Sequence, residues 1–184
     1  IAFNKDLNKE IPDFLLPISK SKFPDLSGKG DEALAQSAIG QYTVSTTPFH
    51  MALVASTFAN GGKMMKPYIV KSIVDSYGMN VSTSKSQVLT EPIKKETADM
   101  VKDMMVDVVK RGTGTNASIR GISIAGKTGT AEVGNDLPAH SWFIGFGPSD
   151  DADIAIAVIL ENGEAKGRNA ASVAGEIMAS YLKR

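Results

Sequence analysis

Near the C-terminus of this chain, strand-like segments crowd together too closely for most folds. Residues 122–125 alternate polar and apolar side chains and run directly into Gly126-Lys127-Thr128. Residues 141–147 are dense in aromatic and β-branched residues, and residues 154–160 form an unbroken apolar run. The connectors, at Gly134-Asn135-Asp136 and at residues 148–151, are short and polar and carry no helical pattern that would serve as a crossover. An antiparallel three-stranded meander is the expectation.

The rest of the chain reads as helices laid on that sheet. Thr46 and Thr47 precede Pro48, a capping residue followed by the residue favoured at a first helical position. Phe49, Leu53, Val54, Thr57 and Phe58 then recur at helical spacing until Asn60-Gly61-Gly62. Residues 66–76 read as extended, and residues 75–86 as a polar hairpin or insertion. A second helix is expected to start at Thr90-Glu91-Pro92. Its stripe is Ala98, Val101, Met105 and Val108, with Met104 and Val109 beside it, and Gly112 ends it; these methionines read as core filler. A last helix over residues 169–182 is expected to turn Ala170, Val173, Ile177 and Tyr181 inward. Residues 1–30, broken by Pro12, Pro17 and Pro24, read as irregular structure with short turns. The sum is an α+β domain.

Composition narrows the chemistry. Twenty basic and twenty acidic residues balance over 184 positions, which argues against a phosphate-dominated nucleic-acid partner yet leaves room for a local basic groove. With no cysteine, disulfides, thiolate metal sites and cysteine nucleophiles are excluded together. Two histidines, His50 and His140, are too few for a histidine-rich metal site, and no cofactor is expected. No apolar run approaches the roughly 20 residues of a membrane helix.

The sharpest local signal is Ala125-Gly126-Lys127-Thr128-Gly129-Thr130-Ala131-Glu132. Gly121 and Gly126-Lys127-Thr128 satisfy the phosphate-loop pattern G-x-x-x-x-G-K-[ST] to the letter. That loop requires a buried strand before it and a helix after it. Here Gly129, Gly134 and Pro138 oppose a helix, and the loop interior is itself strand-like. The other reading is the K-T-G element of serine acyl-transferases, whose partners are S-x-x-K and S-x-N. On an edge strand its lysine supplies positive charge, its threonine hydroxyls donate to a carboxylate, and its glycine admits substrate against the backbone.

The surroundings of this element resemble a class B penicillin-binding protein over nearly the whole chain. Ala35 to Gln41 followed by Val44-Ser45-Thr46-Thr47-Pro48 is similar to that family's "IGQG…VTPLQMA" segment, which Met51-Ala52 and Phe58-Ala59-Asn60-Gly61-Gly62 continue. Val108-Val109 with Gly112-Thr113-Gly114-Thr115 resembles its "VV…GTG" stretch. Ala125 to Glu132 matches "AGKTGTAE", and His140 to Pro148 resembles "HAWFVGFAP".

The resemblance implies the penicillin-binding and β-lactamase-like transpeptidase fold, and an activity of peptidoglycan D,D-transpeptidation. A serine attacks a D-Ala-D-Ala carbonyl of a stem peptide, and β-lactams acylate the same serine. By position it implies that Lys127 takes part in charge and proton transfer, and that Thr128 and Thr130 bind the carboxylate. Gly129 would permit close approach, and the backbone N–H of Thr130 would form half of an oxyanion hole. A β-lactam sensor, an inactive scaffold, or a carboxypeptidase or β-lactamase-type hydrolase of the same fold are the alternatives.

The pattern is incomplete here. S-x-x-K strings occur at Ser19 to Lys22 and Ser82 to Lys85, one in a proline-broken segment and one in the polar insertion, and no S-x-N accompanies either. The expectation is that residues 1–184 are the C-terminal part of one transpeptidase domain. The nucleophile, the S-x-N element, the first strands and the membrane anchor of an extracytoplasmic parent would all lie outside it. The missing half, or a self-associated copy, would then cover an open sheet edge. Trp142 and Phe143 read as core, His140 as a surface or hydrogen-bonding residue, and residues 161–163 as a turn.

Overall fold

The computed structural model describes residues 6–134, 137–163 and 169–184. Its centre is the expected meander: β5 (Ala125–Ala131), β6 (His140–Gly147) and β7 (Ile154–Leu160), antiparallel in the order β5-β6-β7. Register is set by burial. Phe143 and Phe146 lie on opposite faces of β6, and both are fully buried. Each such burial is worth about 1.5–3 kcal/mol.

Helices cover both faces. On the Phe143 side lies α5 (Ala170–Leu182), capped by Asn169, whose side chain accepts from the Ser172 N–H, and by Ser141 Oγ, which accepts from the Ala170 N–H at 3.0 Å. On the Phe146 side lie α3 (Pro48–Ala59) and part of α4 (Lys95–Arg111), where Phe58, Val101 and Met105 pack against Ala125 and Phe146. α4 also sends Val109 into the other core, so it spans the margin of the sheet beside β5. A third cluster of Leu7, Ile11, Leu53 and Met64 ties the N-terminal segment to α3.

The N-terminal segment holds one helical turn, α1 (Leu7–Glu10), a 3-10 turn at Pro12–Phe14 and otherwise irregular chain, as its prolines dictate; residues 1–5 lie outside the described residues. The helix α2 (Asp31–Ala38) was not anticipated from its short, weakly apolar sequence. Thr47 caps α3 through the His50 N–H, as expected.

The extended reading of residues 66–76 contracts. Only β1 (Met64–Met65), paired with β4 (Val88–Thr90), and β2 (Ser72–Val74), paired with β3 (Asn80–Thr83), are regular, so the expected hairpin is present. Thr90 therefore ends a strand, and α4 begins at Lys95 rather than at Thr90-Glu91-Pro92. Gly112 ends α4 as expected. Met105 is buried, whereas Met104 is 62% exposed and is not core filler.

Residues 122–124 are not strand. The Ile122 N–H bonds back to the Ile119 carbonyl in a tight turn, and Ser123 bonds to Ser149, so β5 opens only at Ala125. The expected inner face of α5 is also corrected. Of Ala170, Val173, Ile177 and Tyr181 only Ala170 is buried; Ala171, Ala174, Gly175 and Met178 complete the inner face. Close approach decides this. A Cβ on Gly175 would sit 3.0 Å from Ala117 Cα, a gap that only small residues leave open. Among the described residues no helix is long and apolar enough to cross a membrane.

Candidate active-site strand

Lys127, Thr128, Gly129 and Thr130 occupy consecutive positions on β5, opposite Ile144, Phe143, Trp142 and Ser141. The strand is an edge: among the described residues nothing pairs with its outer side. Thr128 does not open a helix, so the phosphate-loop geometry is absent.

Two glycines of the motif do different jobs. A Cβ on Gly126 would lie 2.2 Å from Phe143 Cζ, so this glycine is required by the core, which buttresses the motif from behind. At Gly129 only Trp142 Cβ stands near, at 3.3 Å. Gly129 is exposed and its face of the strand is open.

Three side chains address the strand from outside the sheet or along it. Gln41 Nε2 donates to the Thr130 carbonyl at 3.2 Å. In an antiparallel strand a residue's N–H and C=O point the same way, alternately toward the partner and away from it. The Thr130 carbonyl is met from outside the sheet, so its N–H also faces the open edge. Thr113 Oγ1 lies 2.6 Å from Thr128 Oγ1, and Lys127 Nζ turns along the strand to donate to the Thr128 carbonyl. Lys127 is exposed, with no ion pair among the described residues. The site thus offers one cation, three threonine hydroxyls, an outward N–H and a bare glycine on one extended edge.

Local sequence explains the placement of these partners. Thr113 follows Gly112, where a Cβ would fall 2.9 Å from Val108 Cα; the glycine lets the chain fold back over the end of α4, with the N–H groups of Gly112 and Gly114 both bonding to the Val108 carbonyl. Gln41 sits in a turn between Gly40 (φ +81°) and Tyr42 (φ +61°). Tyr42 holds a left-handed conformation, which disfavours non-glycine residues by about 1–2 kcal/mol.

In the sequence Gln41 and Thr113 stand out only as members of segments that match the family. Their signal was a polar residue inside a glycine turn. Of the residues read as bland, Phe143 is core and His140 Nδ1 accepts from the Asn162 N–H at 3.0 Å, while Trp142 is only partly buried. Ser19 lies in irregular chain and Ser82 in exposed β3, and neither opens a helix. Asn135 and Asp136 of the first connector lie outside the described residues. Among the described residues no three His, Asp or Glu side chains gather as metal ligands.

The penicillin-binding protein transpeptidase domain, as a family, matches residues 18–179. Peptidoglycan D,D-transpeptidase PbpA of Mycolicibacterium smegmatis is 39% identical over 134 residues, spanning 71% of this chain and 27% of that protein. Stage V sporulation protein D of Bacillus subtilis is 32% identical over 179 residues, 86% of this chain and 28% of that protein. The imipenem acyl-enzyme complex of penicillin-binding protein A from M. tuberculosis superposes with a TM-score of 0.78 at 34% identity, over 90% of this chain and 37% of that one. This chain therefore spans about a quarter of the length of these curated relatives. With the family matching most of its residues and the three-stranded sheet intact, the chain belongs to the penicillin-binding protein transpeptidase domain family.

Proposed function

We propose that this chain carries the carboxylate-binding edge of a peptidoglycan D,D-transpeptidase. The observation that supports the reading best is the edge strand itself, with Lys127, Gly129 and Thr130 exposed, Thr128 half-buried beside them and the Thr130 N–H facing outward. A D-Ala-D-Ala stem peptide lies along β5 as an added strand, Gly129 allowing it to approach the backbone. Thr128 and Thr130 hydroxyls donate to its terminal carboxylate, and Lys127 supplies positive charge to the cleft and to proton transfer. A serine oxygen attacks the penultimate carbonyl carbon. The oxyanion that forms is held by the Thr130 N–H and the serine's own N–H. The C–N bond breaks, D-Ala leaves as the protonated amine, and an amine of a neighbouring stem peptide resolves the ester. β-Lactams acylate the same serine.

Neither Ser19 nor Ser82 opens a helix or touches β5 by a hydrogen bond among the described residues, so the nucleophile is assigned to a part of the domain outside these 184 residues. The working location is the outer side of the cytoplasmic membrane, where peptidoglycan is assembled.

Fluorescent penicillin tests the reading. The whole parent protein is expected to bind it covalently, one per molecule, and to lose labelling rate by about 100-fold or more in Lys127→Ala. The 184-residue chain alone is expected to take up none. Stoichiometric label on Ser19 or Ser82 would overturn the assignment. Rapid loss of label from the parent would instead indicate a hydrolase, and no label at all an inert scaffold.

A further inference from the structure

We infer that the β2–β3 hairpin and the groove at its base form a docking surface for an extended, acidic and apolar segment of a partner protein. This inference does not depend on the transpeptidase reading.

The hairpin is anomalous on three counts. Every residue of Ser72–Val74 and Asn80–Thr83 is exposed, and Ile73, Val74, Tyr77, Met79 and Val81 show 55–91% of their surface to solvent. Large apolar side chains exposed together mark interaction surfaces in soluble proteins. A two-stranded hairpin standing free is also marginal in water, and each strand here keeps an unpaired outer edge among the described residues. Its turn is nonetheless firmly built. Asp75 Oδ1 accepts from the N–H groups of Tyr77 and Met79, and Gly78 takes the left-handed conformation at φ +78°. The arm is thus presented in a defined shape, with two open edges on which a third strand can pair.

Charge selects the occupant. Residues 63–86 carry Lys63, Lys66, Lys71 and Lys85 against a single acid, Asp75. That carboxylate is committed to its own turn, and none of the four lysines makes an ion pair among the described residues. The overall charge of the chain is zero, so this is a local excess. At the base of the arm a groove of about 390 Å³ is lined by Phe14, Lys66, Tyr68, Lys85 and Gln87. The hairpin stem is closed there by the Lys66 N–H bonding to the Gln87 carbonyl and by Ser84 Oγ donating to the Val70 carbonyl. Two cations over an aromatic wall, continuous with an apolar arm, fit carboxylates alternating with aliphatic side chains. An extended segment presents them to opposite sides.

Fluorescence polarisation on the purified chain tests this with a labelled octapeptide alternating Asp or Glu with Leu, Ile or Val. Its controls are a peptide with Lys at every acidic position and one with the same composition in two blocks. The alternating acidic probe is expected to bind best and to weaken as salt rises. Lys66→Glu with Lys85→Glu is expected to weaken it at least about tenfold, and Val81→Ser to weaken it independently. Lys66→Gln with Lys85→Gln serves as a milder second variant, each checked for unchanged circular dichroism. Equal binding of the acidic and basic probes, or indifference to both pairs of substitutions, would sink the proposal. So would a doubling of the chain's mass in solution that Val81→Ser abolishes, since a second copy would then be the occupant.

Discussion

Gly126 and Gly129 stand three residues apart in one motif and answer to different neighbours. Gly126→Ala drives a methyl into the Phe143 ring, and the expected cost is about 1–3 kcal/mol of overpacking, seen as a Tm lower by several degrees. Gly129→Ala meets only Trp142 Cβ at 3.3 Å, so Tm is expected to hold while penicillin acylation of the whole protein falls sharply. Equal Tm losses in the two variants would refute the division. Thr130 gives a cleaner separation of roles. Its N–H faces the open edge, where proline is tolerated, so Thr130→Pro should fold and yet lose about 10²–10³ in acylation rate. Thr130→Val keeps the N–H and is expected to lose much less, the difference being read by penicillin labelling kinetics. At Tyr42 the resembled family segment has glycine, and Tyr42→Gly is expected to stabilise slightly, by about 1 kcal/mol, in thermal melts. The motif residues themselves were legible in sequence. Gln41 and Thr113 were not, because nothing local says that a turn residue 89 positions away will meet the Thr130 carbonyl.

At the scale of elements, helix ends are legible in the sequence where the signal is chemical. Thr47-Pro48 opens α3, Gly112 ends α4 and Asn169 starts α5, each because an orphan backbone group finds a partner there. The observed inner face of α5 is rotated by about one residue from the face that its large apolar side chains suggest. Around Gly175 this helix lies close against Ala117 and Asn116, where only small residues fit, and Met178 fills the core further along the same face. Gly175→Val should accordingly cost about 1–3 kcal/mol, whereas Ile177→Ser on the half-exposed face should leave Tm nearly unchanged. Melting curves that rank these two the other way would restore the original face. The start of α4 slipped for a similar reason: Thr90 is recruited by β1, a pairing partner far away in sequence.

The whole molecule couples its N-terminal segment to α3 through a buried polar contact as well as an apolar cluster. His50 is 2% exposed, its Nδ1 lies 2.8 Å from Ser21 Oγ, and burial holds its imidazole below the ordinary 6.5. The unfolded chain therefore binds a proton that the folded chain resists, and stability is full above about pH 6.5 and lost as pH falls from there through the folded value. Asp6, Asp25 and Asp99 are held below 3.8 by hydrogen bonds and charge, so their contribution is lost only in a lower, separate window. Tm measured at about pH 7.5 and about pH 5.5 should drop in the parent chain and drop less in His50→Gln; an equal drop would remove His50 as the cause. The amino-acid sequence by itself determined the antiparallel meander, because its connectors leave no room for anything else, and the motif strand, because Gly-Lys-Thr-Gly-Thr flanked by apolar alternation has few other uses. Only the tertiary structure decided which side of β5 stays open, which helix face turns inward, and that β2 and β3 stand away from the core. Those outcomes depend on contacts between residues far apart in the chain, and a periodic pattern records that a face is apolar without recording what will come to lie against it.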